Sequence, residues 1–93
     1  MSARLSGLTI GALTLDPTFD PDVASYTANT TNATNTITAT PEEESATVTI
    51  LNGETPVVNG QAATWEEGAN TVTITVKNGT AQKVYTVTVT KSA

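Results

Sequence analysis

The clearest hydrophobic pattern in the chain lies between Asn70 and Thr90, where apolar and polar residues alternate on both sides of an Asn-Gly pair. Strict alternation is typical of a strand with one buried face, and Asn-Gly between two such strands favours a β-hairpin. The pattern therefore predicts a hairpin that turns at Asn78 and Gly79. Each strand carries one apolar row, and the two rows are Val72, Ile74 and Val76, and Tyr85, Val87 and Val89.

The length of the connecting loop decides whether the two apolar rows share a face. Successive side chains of a strand point to opposite faces, so only an even number of loop residues brings the rows together. An odd loop would set Ile74 opposite Val84 and would turn Tyr85 to the wrong side. We therefore predict a loop of two or four residues centred on Asn78 and Gly79, with a positive φ at Gly79. The intervening threonines, Thr73, Thr75, Thr86 and Thr88, should then lie on the outer face.

Shorter segments of the same kind precede the hairpin and are separated by clusters of Gly, Pro, Asn and Asp. These segments are 5–15, an edge strand that bends at its glycines, then 25–28, 36–40, 46–53, a weak return over 56–60, and 62–65. An isolated hairpin is marginally stable in water, so its apolar face needs a second sheet to cover it. About seven strands spaced by roughly 10 residues, with no helix of normal length, indicate an all-β fold, an antiparallel β-sandwich.

The connection after the first predicted strand, residues 16–22, contains two Asp-Pro steps. Proline fixes φ and aspartate bonds to nearby backbone, so a rigid loop is favoured here. Phe19 stands alone among polar neighbours and is expected to close one end of the core. Asp16, Asp20 and Asp22 could offer oxygen ligands to calcium, but they lack the glycine bend and the distal Glu of calcium loops. We expect a structural corner with aspartate side chains bonded to backbone amides, and no metal site.

Composition and charge narrow the class of protein. Threonine fills 21 of the 93 positions, and β-branched residues suit a pleated sheet surface. Ninety-three residues make one domain. The net charge of -5, with only 4 basic residues and no cluster of them, argues against a nucleic-acid partner. No apolar run approaches the roughly 20 residues that span a bilayer, so we expect no membrane insertion.

The chain offers few of the groups that enzymes use. It has no histidine and no cysteine, which removes the commonest nucleophile and acid-base pairs as well as any disulfide. Carboxylates remain in predicted exposed loops, although a glycosidase-type pair must flank a cleft of some depth. These carboxylates are Asp20 and Asp22, Glu42, Glu43 and Glu44, and Glu66 and Glu67. We therefore expect no enzyme, no catalytic residue and no cofactor.

The aromatic residues are the remaining candidates for ligand contact. Trp65 and Tyr26 could form a face on which a sugar stacks, as aromatic rings do in carbohydrate-binding modules. A domain whose aromatic content is only 4% more commonly uses these rings in its core. Composition favours core packing, and carbohydrate contact by Trp65 and Tyr26 is the open alternative.

Several segments together resemble the cadherin-like β-sandwich domains of bacterial proteins. The matching segments are 5–10 (LSGLTI), 15–27 (LDPTFDPDVASYT), 67–76 (EGANTVTITV), 78–80 (NGT) and 84–90 (VYTVTVT), which reach over nearly the whole chain. The spacing Pro-x-Phe-x-Pro-x-x-x-x-Tyr is the more specific part, whereas alternating strands occur in any sandwich. Trp65 departs from the family pattern, which more often has an aliphatic residue at that point.

The resemblance implies an immunoglobulin-like fold and a function without catalysis. It implies that residues 1–93 form a single domain, excised from a longer exported protein. The expected role is a structural or adhesive module of a bacterial cell-surface or secreted multidomain protein, and the alternative is a carbohydrate-binding accessory domain. The expected partners are neighbouring domains of the same polypeptide, and other proteins or carbohydrate. The module itself is expected to be a monomer.

Overall fold

The computed structural model describes residues 3–92, and it contains eight strands and no helix in that range. The strands are β1 (Leu5–Ile10), β2 (Ser25–Thr30), β3 (Thr34–Pro41), β4 (Thr47–Asn52), β5 (Thr55–Val57), β6 (Ala62–Thr64), β7 (Gly68–Asn78) and β8 (Ala81–Lys91). One sheet has the order β1-β3-β6, and the other has the order β2-β8-β7-β4-β5. The predicted β-sandwich is confirmed, with one strand more than the expected number of about seven. Nothing in the described range is a helix long and apolar enough to cross a membrane.

The β7–β8 hairpin lies in the middle of the larger sheet, and its loop is even, as predicted. Asn78 pairs with Ala81, so the loop consists of Gly79 and Thr80, and Ile74 lies opposite Tyr85. The loop begins one residue later than a two-residue turn centred on Asn78 and Gly79. Each residue of β7 is therefore paired two positions further along β8 than such a turn would give, and both apolar rows still lie on the same face of the sheet.

Two observations explain the position of the turn. Gly79 has a φ of 63°, and no other kind of residue in the described range has a positive φ. A two-residue loop with positive φ only at its first residue is a type II′ turn, which glycine favours at that position. Asn78 stays in the strand, where its buried side-chain amide donates to Glu43 at 2.8 Å and accepts from Ser45 at 3.2 Å.

Replacing Gly79 by valine is expected to lower the free energy of unfolding by about 1 kcal/mol or more, because a β-branched residue resists a positive φ. Urea unfolding followed by circular dichroism measures this change. Thr80→Val at the neighbouring loop position is the control and should cost less, because Thr80 has no positive φ. An unchanged midpoint for Gly79→Val would contradict the turn assignment.

The two sheets bury a continuous apolar core between them. Both apolar rows of the hairpin are fully buried, and they pack with Leu5, Ile10 and Ile37 from the smaller sheet. The threonines between the rows lie on the outer face and are half-buried; they are Thr73, Thr75, Thr86 and Thr88. The predicted division of the hairpin into a core face and an outer face is therefore confirmed.

Strand β2 differs from the predicted antiparallel arrangement. It lies at the edge of the larger sheet and pairs with β8 in parallel, from Ser25 beside Thr86 to Thr30 beside Lys91. The alternation of side chains is the same in a parallel and an antiparallel pair, so the sequence pattern contained no information on direction.

Strand ends also differ from the pattern in two places. The first strand stops at Ile10, and Gly11, with a φ of 56°, turns the chain out of the sheet before Leu15. The connection between the predicted strands 25–28 and 36–40 is also shorter than the pattern indicates, because β2 continues to Thr30 and β3 begins at Thr34, so that only residues 31–33 connect them. Asn29 and Thr34 are exposed at these strand ends, and the buried Thr30 hydroxyl accepts the Asn32 backbone amide at 2.9 Å.

The chain enters and leaves the domain at opposite ends of its long axis, in a body measuring 42 × 24 × 17 Å. Leu5 starts β1 opposite Pro41, where β3 finishes. At the other end Lys91 pairs with Gly68, and the Ser92 backbone amide donates to Thr30, just before β3 begins. We call these the upper end, which holds Arg4, Pro41 and Gly79, and the lower end, which holds Trp65, Gly68 and Ser92.

Candidate functional site: the tyrosine-held loop and the aromatic positions

Two tyrosine hydroxyls hold the loop between β1 and β2. The Tyr26 hydroxyl donates to the carbonyl of Asp20 and accepts the Asp20 backbone amide at 2.9 Å. The Tyr85 hydroxyl donates to the carbonyl of Pro21 at 2.7 Å and accepts the Leu5 backbone amide at 3.1 Å. Each hydroxyl thus uses its donor and an acceptor site, and the pair ties the loop and β1 to the larger sheet.

Phe19 lies beneath this loop and closes the core, as the sequence predicted. Its ring stacks on Tyr26 with centroids 5.7 Å apart, and it lies 6.4 Å from the ring of Tyr85 in a tilted arrangement. The Lys83 ammonium lies 5.5 Å from the centre of the Tyr85 ring. Three of the four aromatic residues are therefore used in one cluster that fixes the loop.

The three aspartates of the loop have different roles. The carboxylate of Asp20 accepts the Asp22 backbone amide at 2.9 Å, which is the predicted kind of bond. Asp22 instead pairs with Arg4 at 2.7 Å, and Asp16 is joined to Thr27 through both of its backbone groups at 2.8 Å. In the described part of the chain no group of three acidic side chains could hold a metal ion.

We predict that calcium does not change the stability of the domain, since the loop is already held by the tyrosine hydroxyls and by its own backbone. Thermal melts with millimolar calcium and with a chelator should coincide. An ion present at about 100 times its dissociation constant would add about 2.7 kcal/mol, which is a shift of roughly 10 °C or more for this size. A shift of that size would contradict the prediction.

Arg4 links the upper end of β1 to two loops. Its guanidinium bonds to Asp22 at 2.7 Å and to Glu42 at 3.2 Å, and these carboxylates, Asp22 foremost, raise the pKa of Arg4. All three side chains are exposed, so solvent screens the attraction. The ion pairs therefore orient the loops and contribute little to stability.

Burial raises the pKa of Tyr85 above its ordinary value of 10.0, although the bond from Leu5 opposes the change. The folded state holds this phenolic proton more tightly than the unfolded state does. Stability contributed by Tyr85 is therefore complete below about pH 10 and is lost as the pH rises through the folded pKa. Urea unfolding across this range should show a falling midpoint, and Tyr85→Phe should fall less steeply. An equal slope in both proteins would contradict the prediction.

Trp65 and Tyr26, the two ligand-contact candidates, are both buried and lie apart from each other. Trp65 is 4% exposed and Tyr26 is 1% exposed. The Trp65 indole N–H donates to the side-chain oxygen of Asn35 at 2.8 Å at the lower end, whereas Tyr26 is held under the loop by its hydroxyl. The fold does not bring the two rings to a shared surface. Ligand contact by these residues stays a prediction.

A groove of about 560 Å³ opens between the β4–β5 hairpin and β6, and none of its lining residues is aromatic. The Asn52 side chain crosses it and donates to the carbonyl of Thr64 at 2.8 Å. On the hairpin side of the groove, Pro56 lies in the middle of the edge strand β5 and has no backbone amide to donate. Both edges are thereby blocked against pairing with an added strand.

Other asparagine side chains close strand edges and loops, a role that sequence reasoning missed. Asn59 pairs with Ala39 as a strand would, accepting its amide at 2.9 Å and donating to its carbonyl at 2.6 Å. Asn70 is buried, accepts the Glu66 amide at 2.9 Å and donates to the carbonyls of Glu66 and Val89. The only signal was turn composition, which does not say which backbone groups an amide will reach.

Comparison with family models matches residues 5–92 to the cadherin-like beta sandwich domain. The match includes all eight strands, the tyrosine-held loop and the asparagine-closed turns described above. Comparison with curated proteins gives no match. Because the match reaches over nearly the whole chain and the observed strands form the sandwich that the family name describes, the chain belongs to the family of cadherin-like beta sandwich domains.

Proposed function

We propose that this domain is a non-catalytic structural or adhesive module, which joins neighbouring domains within a bacterial cell-surface or secreted protein. The observation that carries the proposal is the course of the chain. It enters at the upper end with Leu5 and leaves at the lower end with Ser92, along a body 42 Å in length. A module of this shape can be joined end to end with its neighbours. Cadherin-like domains are typically extracellular, which supports the location.

The aromatic rings and the buried polar side chains contact other parts of the same domain, which supports a non-catalytic role. All four aromatic rings pack in or against the core. Within the described residues, no buried side-chain nitrogen or oxygen lacks a hydrogen-bond partner. These side chains therefore bond within the fold, as expected of a structural module.

A fusion of the domain between two fluorescent proteins tests the spacer role. The two fluorophores are expected to be held apart by the full length of the module, and energy transfer should be as low as for a rigid rod of about that length. The control is a matched fusion with a flexible Gly/Ser linker of the same number of residues. Such a chain has an r.m.s. end-to-end distance of about 50 to 60 Å with a broad spread, so its donor fluorescence decay should be widely distributed, whereas the domain fusion should give one narrow distance. Equally broad distance distributions in the two fusions would contradict the proposal.

The alternative, a carbohydrate-binding accessory domain, would require Trp65 or Tyr26 to become exposed. Trp65 is the only tryptophan, so its fluorescence reports directly on any sugar that reaches it. Titration with oligosaccharides selected on a glycan array should leave the emission of a spacer unchanged. A saturable shift of the emission would support the alternative and would require a local opening at the lower end.

A further inference from the structure

We propose that the domain bears tension along its long axis and that the parallel ladder between β2 and β8 is the element that resists it. This inference rests on the proposed function, because only a module with neighbours on both sides is pulled through its two ends. The ladder is the one place in the described sheets where a strand near the start of the domain lies directly beside the last strand.

The directions of the two strands decide how the ladder is loaded. The chain reaches β2 from the upper end at Ser25, and it leaves β8 at the lower end after Lys91. A pull on both ends therefore draws β2 upward and β8 downward along their common ladder. All pairs from Ser25 to Thr30 are then loaded together. In a hairpin opened from its free end, by contrast, the pairs are loaded one after another, so each bond resists alone.

A pull on the start of the domain acts first on strand β1, which we expect to detach at a lower force than the β2–β8 ladder. Its register shifts between Leu5 and Gly7, whereas β2, an edge strand of the same length, pairs with β8 without a shift from Ser25 to Thr30. After β1 detaches, the pull passes to the loop that is fastened to β2 through the Asp16 bridge to Thr27 and the Tyr26 hydroxyl. It then reaches the β2–β8 ladder.

The ladder is reinforced at its ends and on its buried face. The Thr86 amide donates to the carbonyl of Ala24, just before β2, at 2.8 Å, and the amide of Ser92, just after β8, donates to the carbonyl of Thr30 at 2.9 Å. Tyr26 lies beside Val87, and both are buried. On its other side β8 pairs with β7 along all 11 of its residues, so the strand that takes the pull is held from both sides.

Single-molecule pulling in two directions tests the inference. The chain has no cysteine, so introduced cysteines give unique attachment points. Handles fused to the two ends of the domain load the ladder in shear, whereas handles on Glu67→Cys and Ser92→Cys open the β7–β8 hairpin from its lower end. At one constant force, the lifetime along the long axis should be at least about tenfold longer. Equal lifetimes would overturn the inference.

A matched pair of proline variants tests the ladder itself. Thr27 gives both backbone groups to Asp16 on the outer side, so the neighbouring residue Ala28 turns its amide toward β8, and Asn29 turns its amide outward. Ala28→Pro should shorten the lifetime along the long axis by about tenfold or more, and Asn29→Pro by less than about threefold. Equal shortening by both variants would exclude the ladder as the resisting element.

The comparison of the two pulling directions tests the inference even if Ala28→Pro does not fold. Failure of the inference is also distinguishable from failure of the proposed function. Equal lifetimes, combined with an extended fusion and an unchanged tryptophan emission, would leave a spacer without a mechanical role. A saturable sugar titration would instead remove the spacer role itself.

Discussion

Replacing Ile74 by alanine is expected to lower the free energy of unfolding by about 2 to 5 kcal/mol, which is a large part of the stability of a domain of this size. Ile74 is fully buried in the central strand β7, where it lies between Ile50 on one neighbouring strand and Tyr85 on the other. The cavity left by alanine cannot close easily, because strands on both sides hold the backbone. Urea and thermal unfolding followed by circular dichroism measure the loss.

The control for this change is Thr75→Ser, one residue further along the same strand. Thr75 is on the outer face and half-buried, so the loss of its methyl group should alter the free energy of unfolding by no more than roughly 0.5 kcal/mol. Equal losses at Ile74 and Thr75 would contradict the assignment of the two faces.

Replacing Trp65 by alanine is expected to lower the free energy of unfolding by about 3 to 5 kcal/mol, because a large buried ring is removed from the lower end of the core. Its indole N–H also donates to Asn35, which would lose that partner. Trp65→Phe keeps an aromatic ring in the core and loses the donor and the smaller part of the indole, so its cost should be smaller, about 1 to 3 kcal/mol. Both variants are compared by urea unfolding.

This pair of variants also separates the two interpretations of Trp65. A core residue gives a large loss of stability for alanine and a smaller loss for phenylalanine. A residue used for sugar contact would give little loss of stability in either variant and a loss of sugar binding in Trp65→Ala. The second result would contradict the core assignment.

Much of the fold was readable from local patterns. The alternation in the hairpin predicted its even loop, its buried row and its outer threonines, and Phe19 was predicted to close the core. Each of these inferences depends on neighbours in the sequence, since the side-chain period of a strand and the φ preference of a glycine are local properties. The resemblance to the cadherin-like domains rested on the same segments and was confirmed over residues 5–92.

The candidate site was less readable than the fold. The sequence named Trp65 and Tyr26 as residues that could share a ligand, but their separation depends on where β2 and the loop before β7 lie in space. The sequence also gave no sign that Asn52, Asn59 and Asn70 would close edges and loops. An asparagine amide can bond to any backbone group it reaches, so its partner is known only when the strands are placed.

By itself the sequence determined the strand segments, the two faces of the hairpin and the rigid loop before β2, because each follows from residues that are close along the chain. Only the tertiary structure decided that β2 runs parallel to β8, that Trp65 and Tyr26 lie apart, and which backbone groups the asparagine side chains reach. Strand direction and partner leave no trace in alternation, since a side chain points to the same face whichever neighbour its backbone bonds to. These are properties of packing between distant segments.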